Sequence, residues 1–191
     1  MKSLSMSGSL RENVGKKDAK YWRNQSMVPC VLYGGKTQVH FVLDEKAFKK
    51  AIFTPNIYQI HLSIDGKKYD TILQDVQYHP VSDHVLHADF LEVFPDKPIV
   101  MSVPLKITGN STGVLKGGKL TKKMRKVKIK SLVADMPDEI PVDITPLDIN
   151  QSIKVANLKR EKLTFLDPES SVIVAVIPTR ASESQGPGEG K

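Results

Sequence analysis

Tyr58-Gln59-Ile60-His61-Leu62-Ser63-Ile64-Asp65-Gly66 is the stretch that decides the fold class. Tyr58, Ile60, Leu62 and Ile64 alternate strictly with Gln59, His61 and Ser63, the period of a strand with one buried face. Asp65-Gly66 then supplies a dipeptide suited to a two-residue hairpin turn, in which both residues take positive φ. A return strand from about Tyr69 to Tyr78 completes the hairpin. The chain is therefore read as mainly β.

The neighbouring segments extend this pattern. Upstream, Val39, Phe41 and Leu43 recur at every second position. Asp44 is placed to N-cap a helix over Glu45 to Phe53, with Phe48 and Ile52 on one face and Pro55 ending it. Pro29 opens an extended run to Tyr33, and Gly34-Gly35 marks a turn. Lys16 to Gln25 holds no Gly or Pro and is rich in helix formers, which predicts a short basic helix. Downstream of a loop at Pro80, Val85 to Val93 reads as a strand. Leu86, Ala88 and Phe90 fall on one face, and His87 and Asp89 on the other. If the apolar face meets the core, His87 and Asp89 point away from it, close enough for Asp89 to orient or charge the imidazole.

Phe94-Pro95-Asp96-Lys97-Pro98 is a Pro-rich break and reads as a linker. Beyond it, strand-like runs cover Val100 to Ile107, Lys126 to Val133, Ile140 to Ile144, Ile153 to Val155 and Ser171 to Ile177. Gly, Pro, Asn and Asp clusters separate them, with spacing that suggests a small sandwich or barrel. Ala181 to Lys191 is mostly Ser, Gln, Gly, Pro and Glu and is expected to be disordered. The organisation predicted is a domain over residues 1–94, an all-β domain over 95–180 and a tail over 181–191. No internal repeat is visible.

Composition narrows the function. The chain has 191 residues and no run of about 18 apolar ones, so no membrane-spanning segment is expected. Met1 to Arg11 is Ser-rich without an apolar core, unlike a secretory signal. The one cysteine, Cys30, lies within Val28-Pro29-Cys30-Val31-Leu32 and reads as a small buried apolar side chain. An intracellular, cytoplasmic location fits. The net charge of +7 is unevenly spread. Residues 1–38 hold seven Lys/Arg against two acids, and residues 116–130 hold eight against none, whereas residues 131–191 hold six against ten acids. Each basic patch is an ordinary solvated face or part of a polyanion-binding surface, and their concentration favours the second.

Catalytic and metal chemistry find little support. Gly34-Gly35-Lys36 and Gly117-Gly118-Lys119 lack the spacing of a phosphate-cradling loop. His79, His84, His87 and Asp89 resemble a ligand cluster, but the helical spacing that makes two histidines converge is absent, and Pro80 argues for a loop. No metal, cofactor or catalytic residue is expected. Loop histidines at the surface, or polar residues facing a partner, remain as readings. Aromatic residues are 6% of the chain and form no paired stacking motif, so a platform for single strands fits poorly. A basic β-surface that reads an RNA helix by shape, phosphates and 2′-hydroxyls fits better.

At this point the sequence resembles a known family. Arg11-x-x-x-Gly15-Lys16, Arg23, Val28-Pro29-Cys30-Val31-Leu32-Tyr33-Gly34-Gly35, Gln74-Asp75-Val76-Gln77-Tyr78-His79-Pro80 and His87-Ala88-Asp89-Phe90 are similar to bacterial large-subunit ribosomal proteins of the Ctc, or general stress protein, type. Val103-Pro104-Leu105, Gly113-Val114-Leu115-Lys116-Gly117-Gly118 and Val142-Asp143-Ile144 extend the match in order through the second region. The resemblance implies an N-terminal β-barrel with short helices that binds the irregular loop E helix of 5S rRNA, and a second β-domain present in the long members. It implies a monomer within the large ribosomal subunit and RNA contacts at Arg11, Arg23, Tyr33, His87 and Asp89. Lys16 and Lys20 join them from the helix, where Asp18, Tyr21 and Trp22 interrupt the family's usual basic run. Lys116, Lys119, Lys122, Lys123, Arg125 and Lys126 are candidate additional contacts. Two rivals are an RNA-binding stress protein acting off the ribosome and a small hydrolase using His87 and Asp89.

Overall fold

A computed structural model of the protein describes residues 2–158, 160 and 162–179, so the expected tail lies outside the described residues. The chain divides into two compact units. One takes the chain up to Ile99 together with Leu132–Asp138, and the other takes Val100–Ser131 and the chain from Glu139 onward. Nothing in the sequence marks the 132–138 segment as belonging with the first unit.

The first unit runs β1 (Lys2–Leu10), α1 (Lys16–Asn24), β2 (Met27–Tyr33), β3 (Val39–Asp44), α2 (Glu45–Ile52), β4 (Tyr58–Ile64), β5 (Lys67–Tyr78) and β6 (Val85–Glu92). Its strands close a barrel in the order β1-β3-β2-β6-β5-β4, and β4 returns to β1. The β4–β5 hairpin turns at Asp65 and Gly66, with φ of 44° and 83°. Both are positive, as the two-residue turn demands. Phe41, Phe48, Phe90, Ile60, Leu62 and Ile64 fill the core and are almost fully buried. Each such side chain contributes roughly 1.5–3 kcal/mol by leaving water. Asp44 caps α2, its carboxylate accepting from Lys46 N at 2.9 Å, and the helix drops Phe48 into this core.

Two features depart from the expected pattern. Strand β1 lies in a segment that reads as a Ser-rich terminus. It pairs in parallel with β4 from Lys2↔Tyr58 to Gly8↔Ile64 and sends Met6 into the core. A Cβ on Gly8 would stand 2.7 Å from the Val42 carbonyl oxygen, so only glycine permits the approach of β1 to β3 there. Leu86 is the second. Alternation predicts that it faces inward with Ala88 and Phe90, but β6 carries an extra residue between the pairs Gln77↔His87 and Tyr78↔Val85. The bulge puts Val85 in the core instead and leaves Leu86 half-buried.

The second unit is also built mainly from strands: β7 (Ile99–Thr108), one turn of helix α3 (Thr112–Leu115), β8 (Lys119–Lys122), β9 (Lys126–Ser131), β10 (Ile140–Asp143), β11 (Ser152–Lys154), a 3-10 turn (Val155–Asn157), β12 (Thr164–Phe165) and β13 (Val172–Ile177). They form two sheets, β10-β7-β9-β12 and β11-β13-β8, not a closed barrel. The short β8 and β12 and the α3 turn lie outside the runs that the sequence pattern picks out. Among the described residues no helix is long and apolar enough to cross a membrane.

Candidate nucleic-acid interface

Alternation on β6 turns Ala88 and Phe90 into the barrel and His87 and Asp89 outward. His87 Nδ1 stands 2.8 Å from Asp89 Oδ1, and their side chains remain 29% and 33% exposed. With Nδ1 engaged, Nε2 is the imidazole atom left to meet a partner. The register sets Asp75 of β5 directly opposite Asp89, and Gln77 opposite His87. A second bulge, between Leu73 and Asp75, gives β5 its extra residue Gln74 beside this row. Like charges facing across strands are unfavourable, so the Asp75–Asp89 register carries a cost.

Tyr33 ends β2 half-buried. Its phenol is pushed above the ordinary value, first by burial and then by the charges of Asp89 and Asp75. The shift is away from neutrality, so the hydroxyl stays a donor, as an ordinary phenol is. Together Tyr33, His87, Asp89, Asp75 and Gln77 place donors and acceptors of fixed direction on β2, β6 and β5. Sequence reasoning singled out Tyr33, His87 and Asp89 but not Asp75 or Gln77. The alternation of Asp75 and Gln77 with Val76 was the available signal.

Helix α1 packs against β2 through half-buried residues, none of them fully buried, and side-chain bonds add to that packing at both ends. Arg11 Nε donates to the Asp18 carboxylate, and Nη2 donates to the Gly15 carbonyl at 3.3 Å. The Arg11 side chain is only 7% exposed as a result. Asp18, which interrupts the basic run, is thus the residue that receives Arg11. At the other end Arg23 Nε donates to the Leu86 carbonyl at 2.9 Å. The two arginines moor the helix, while Lys16 and Lys20 stay exposed.

Two further histidines, His79 and His84, belong to the turn that leads into β6. His79 Nδ1 accepts from the Val81 and Ser82 amides at 3.4 and 3.3 Å. His84 Nδ1 meets Glu45 Oε1 at 2.7 Å. Arg23, Ser26, Glu45, His79, Ser82 and His84 are among the residues lining a groove of about 280 Å³ there. Among the described residues no group of three or more His, Cys, Asp or Glu could hold a metal ion. Cys30 is buried, and burial pushes its thiol well above the ordinary value, so it is inert packing.

In the second unit the basic run is divided. Lys119 and Lys122 lie on β8, and Lys126 lies on β9 in the other sheet. Lys116 pairs with Asp148 at 2.6 Å, and Lys122 Nζ donates to the Leu105 carbonyl at 2.9 Å, so both are engaged within the unit. Lys119, Lys123, Arg125 and Lys126 are exposed. Strand β9 continues the row: Lys126, Lys128 and Lys130 are exposed, alternating with buried Val127, Ile129 and Ser131. Strand geometry spaces these lysines about 7 Å apart. Lys128 and Lys130 lie within the basic stretch but were not singled out as contacts.

Comparison with known proteins bears on both units. Residues 6–90 match the model of the Ribosomal L25p family, and residues 98–180 match that of Ribosomal protein TL5, C-terminal domain. Similar relatives include the large ribosomal subunit protein bL25 of Amoebophilus asiaticus, 41% identical over 196 residues and covering 100% of both chains. The protein of that name from Porphyromonas gingivalis is 40% identical over 184 residues, 95% of this chain and 96% of its own. That from Bacteroides fragilis is 39% identical over 196 residues, covering 100% of both.

Proposed function

Because the chain belongs to the ribosomal L25p family, in the long form with a TL5-type C-terminal domain, we propose that it clamps 5S rRNA within the large ribosomal subunit of the cytoplasm. It is a structural ribosomal protein of a non-enzymatic family, which removes the hydrolase reading of His87 and Asp89. The RNA taken is the irregular loop E helix, and residues 1–94 carry the contact. Lys16, Lys20 and the outer guanidinium donors of Arg23 meet phosphates, while Arg11, turned onto Asp18, serves the contact by mooring α1. Tyr33, His87 and Asp89 supply the directional bonds that phosphate contacts lack.

The observation that carries this reading is the His87–Asp89 pair, held at 2.8 Å on the outer barrel face beside a helix moored by two arginines. Carboxylates repel a polyanion unless each accepts a specific hydrogen bond, from a 2′-hydroxyl or a base amino group. Lys119, Lys123, Arg125 and Lys126 of the second unit add phosphate contacts. Gel-shift titration of the full chain with 5S rRNA and with tRNA at the same salt tests the reading. A clear preference for 5S rRNA is expected; equal affinity would overturn it.

A further inference from the structure

We infer that Tyr21, on the outer face of α1, stacks on an unpaired base of the bound RNA. The inference rests on the RNA-binding reading above and adds a contact of another kind. In α1 the half-buried residues are Asp18, Ala19 and Trp22, which fall on one face. Lys17, Lys20, Tyr21 and Asn24 are exposed, and their spacing of three, four and seven residues aligns them along the opposite face. Tyr21 is 56% exposed. An isolated exposed aromatic is ordinary, but this one is braced. The rings of Tyr21 and Trp22 meet edge to face, with centroids 5.5 Å apart and planes at 78°. Trp22 Nε1 is itself buried without a hydrogen-bond partner among the described residues, so its ring stands there despite an unfavourable environment for that group. The brace limits the motion of Tyr21 before any ligand arrives, which lowers the ordering cost on binding.

Charge identifies the occupant. Lys17 and Lys20 lie beside Tyr21 on its own face, one turn before it and next to it, and the helix continues to Arg23, which is anchored to β6. A flat π-surface next to two cations fits a base whose phosphates meet the lysines. The helix that carries the stripe is itself tied to the strand of His87 and Asp89, through the bond from Arg23 to the Leu86 carbonyl.

The test uses the full chain, 5S rRNA and two variants. Tyr21→Phe keeps the π-face; Tyr21→Leu keeps apolar bulk and helix propensity but removes it. Tyr21→Leu is expected to bind about 5- to 150-fold more weakly, the range for losing one stacked base. Tyr21→Phe is expected to stay within about twofold of wild type on the same scale. The salt slope should not change in either, because no phosphate contact is lost. Trp22 is the only tryptophan of the chain, so its emission reports on this helix alone. It should shift on RNA binding in wild type and Tyr21→Phe. Wild-type affinity in Tyr21→Leu, or an equal loss in Tyr21→Phe, overturns the stacking role while leaving the RNA reading intact. Failure of the wild type to bind removes both.

Discussion

The outer face of β2, β6 and β5 and the lysine row of β9 are both candidate RNA surfaces, and they are built on opposite rules. The first holds few free charges and several groups of fixed direction: His87 locked to Asp89, Tyr33 kept protonated, and two arginines spent on mooring α1. The second holds Lys126, Lys128 and Lys130 exposed on flexible stems at strand spacing. A flexible ammonium neutralises a phosphate wherever it lies, whereas a locked pair accepts one geometry. The difference teaches that charge content and recognition need not reside in the same part of this protein. The region with the denser run of lysines is proposed to add affinity, and the barrel face to choose the RNA.

The largest effect expected from that contrast comes from separating the regions. Residues 1–94 alone should fold and keep the preference for 5S rRNA over tRNA, while residues 95–180 should bind both weakly and alike. The fragment should melt at a lower temperature than the same unit in the full chain, because Leu132–Asp138 belongs with that unit and is absent from it. Calorimetry and gel shifts on the two fragments check this. A folded 1–94 fragment without the preference would reverse the proposed division of labour.

Next in size is Asp89→Ala. It removes a negative charge from a polyanion-binding face, so electrostatics alone predicts tighter binding. The directional role predicts a loss of roughly 1–3 kcal/mol with a nearly unchanged melting temperature. Isothermal titration against 5S rRNA, paired with a thermal melt, reads both. Tighter binding by a well-folded variant would make the barrel face another electrostatic surface and erase the contrast.

The smallest effect is expected at β9. Replacing Lys126, Lys128 and Lys130 together by Gln should lower the salt slope of ribosome association by about two units, at modest cost in affinity at physiological salt. Lys122→Gln serves as the internal control. Its ammonium already donates to the Leu105 carbonyl, so it should lose under about 1 kcal/mol of stability and leave the slope alone. An unchanged slope in the triple variant would reduce the β9 row to a solvated surface.

Much of the barrel is legible in the sequence. The β4–β5 hairpin, the cap at Asp44 and the outward pairing of His87 with Asp89 all follow from local periodicity and local chemistry. Strand β1 is not, although Leu4, Met6 and Leu10 alternate with serines. Serine is a poor strand former and a common terminal residue, and the pairing that makes this segment a strand lies more than fifty residues away in β4. The Leu86 bulge was hidden for a related reason: alternation along one strand cannot reveal an extra residue that only the partner's register exposes.

The sequence by itself determined the β class, the two basic regions and the residues able to give direction to an RNA contact, because each depends on residues near one another in the chain. Tertiary structure decided which of those residues are still available. It turned Arg11 onto Asp18 and Lys122 onto Leu105, set Asp75 opposite Asp89, and brought Leu132–Asp138 into the first unit. The physical reason is that charge and polarity are properties of a side chain, whereas its partner is a property of distance. Only the closed barrel and the sheet register bring residues remote in sequence within hydrogen-bonding range.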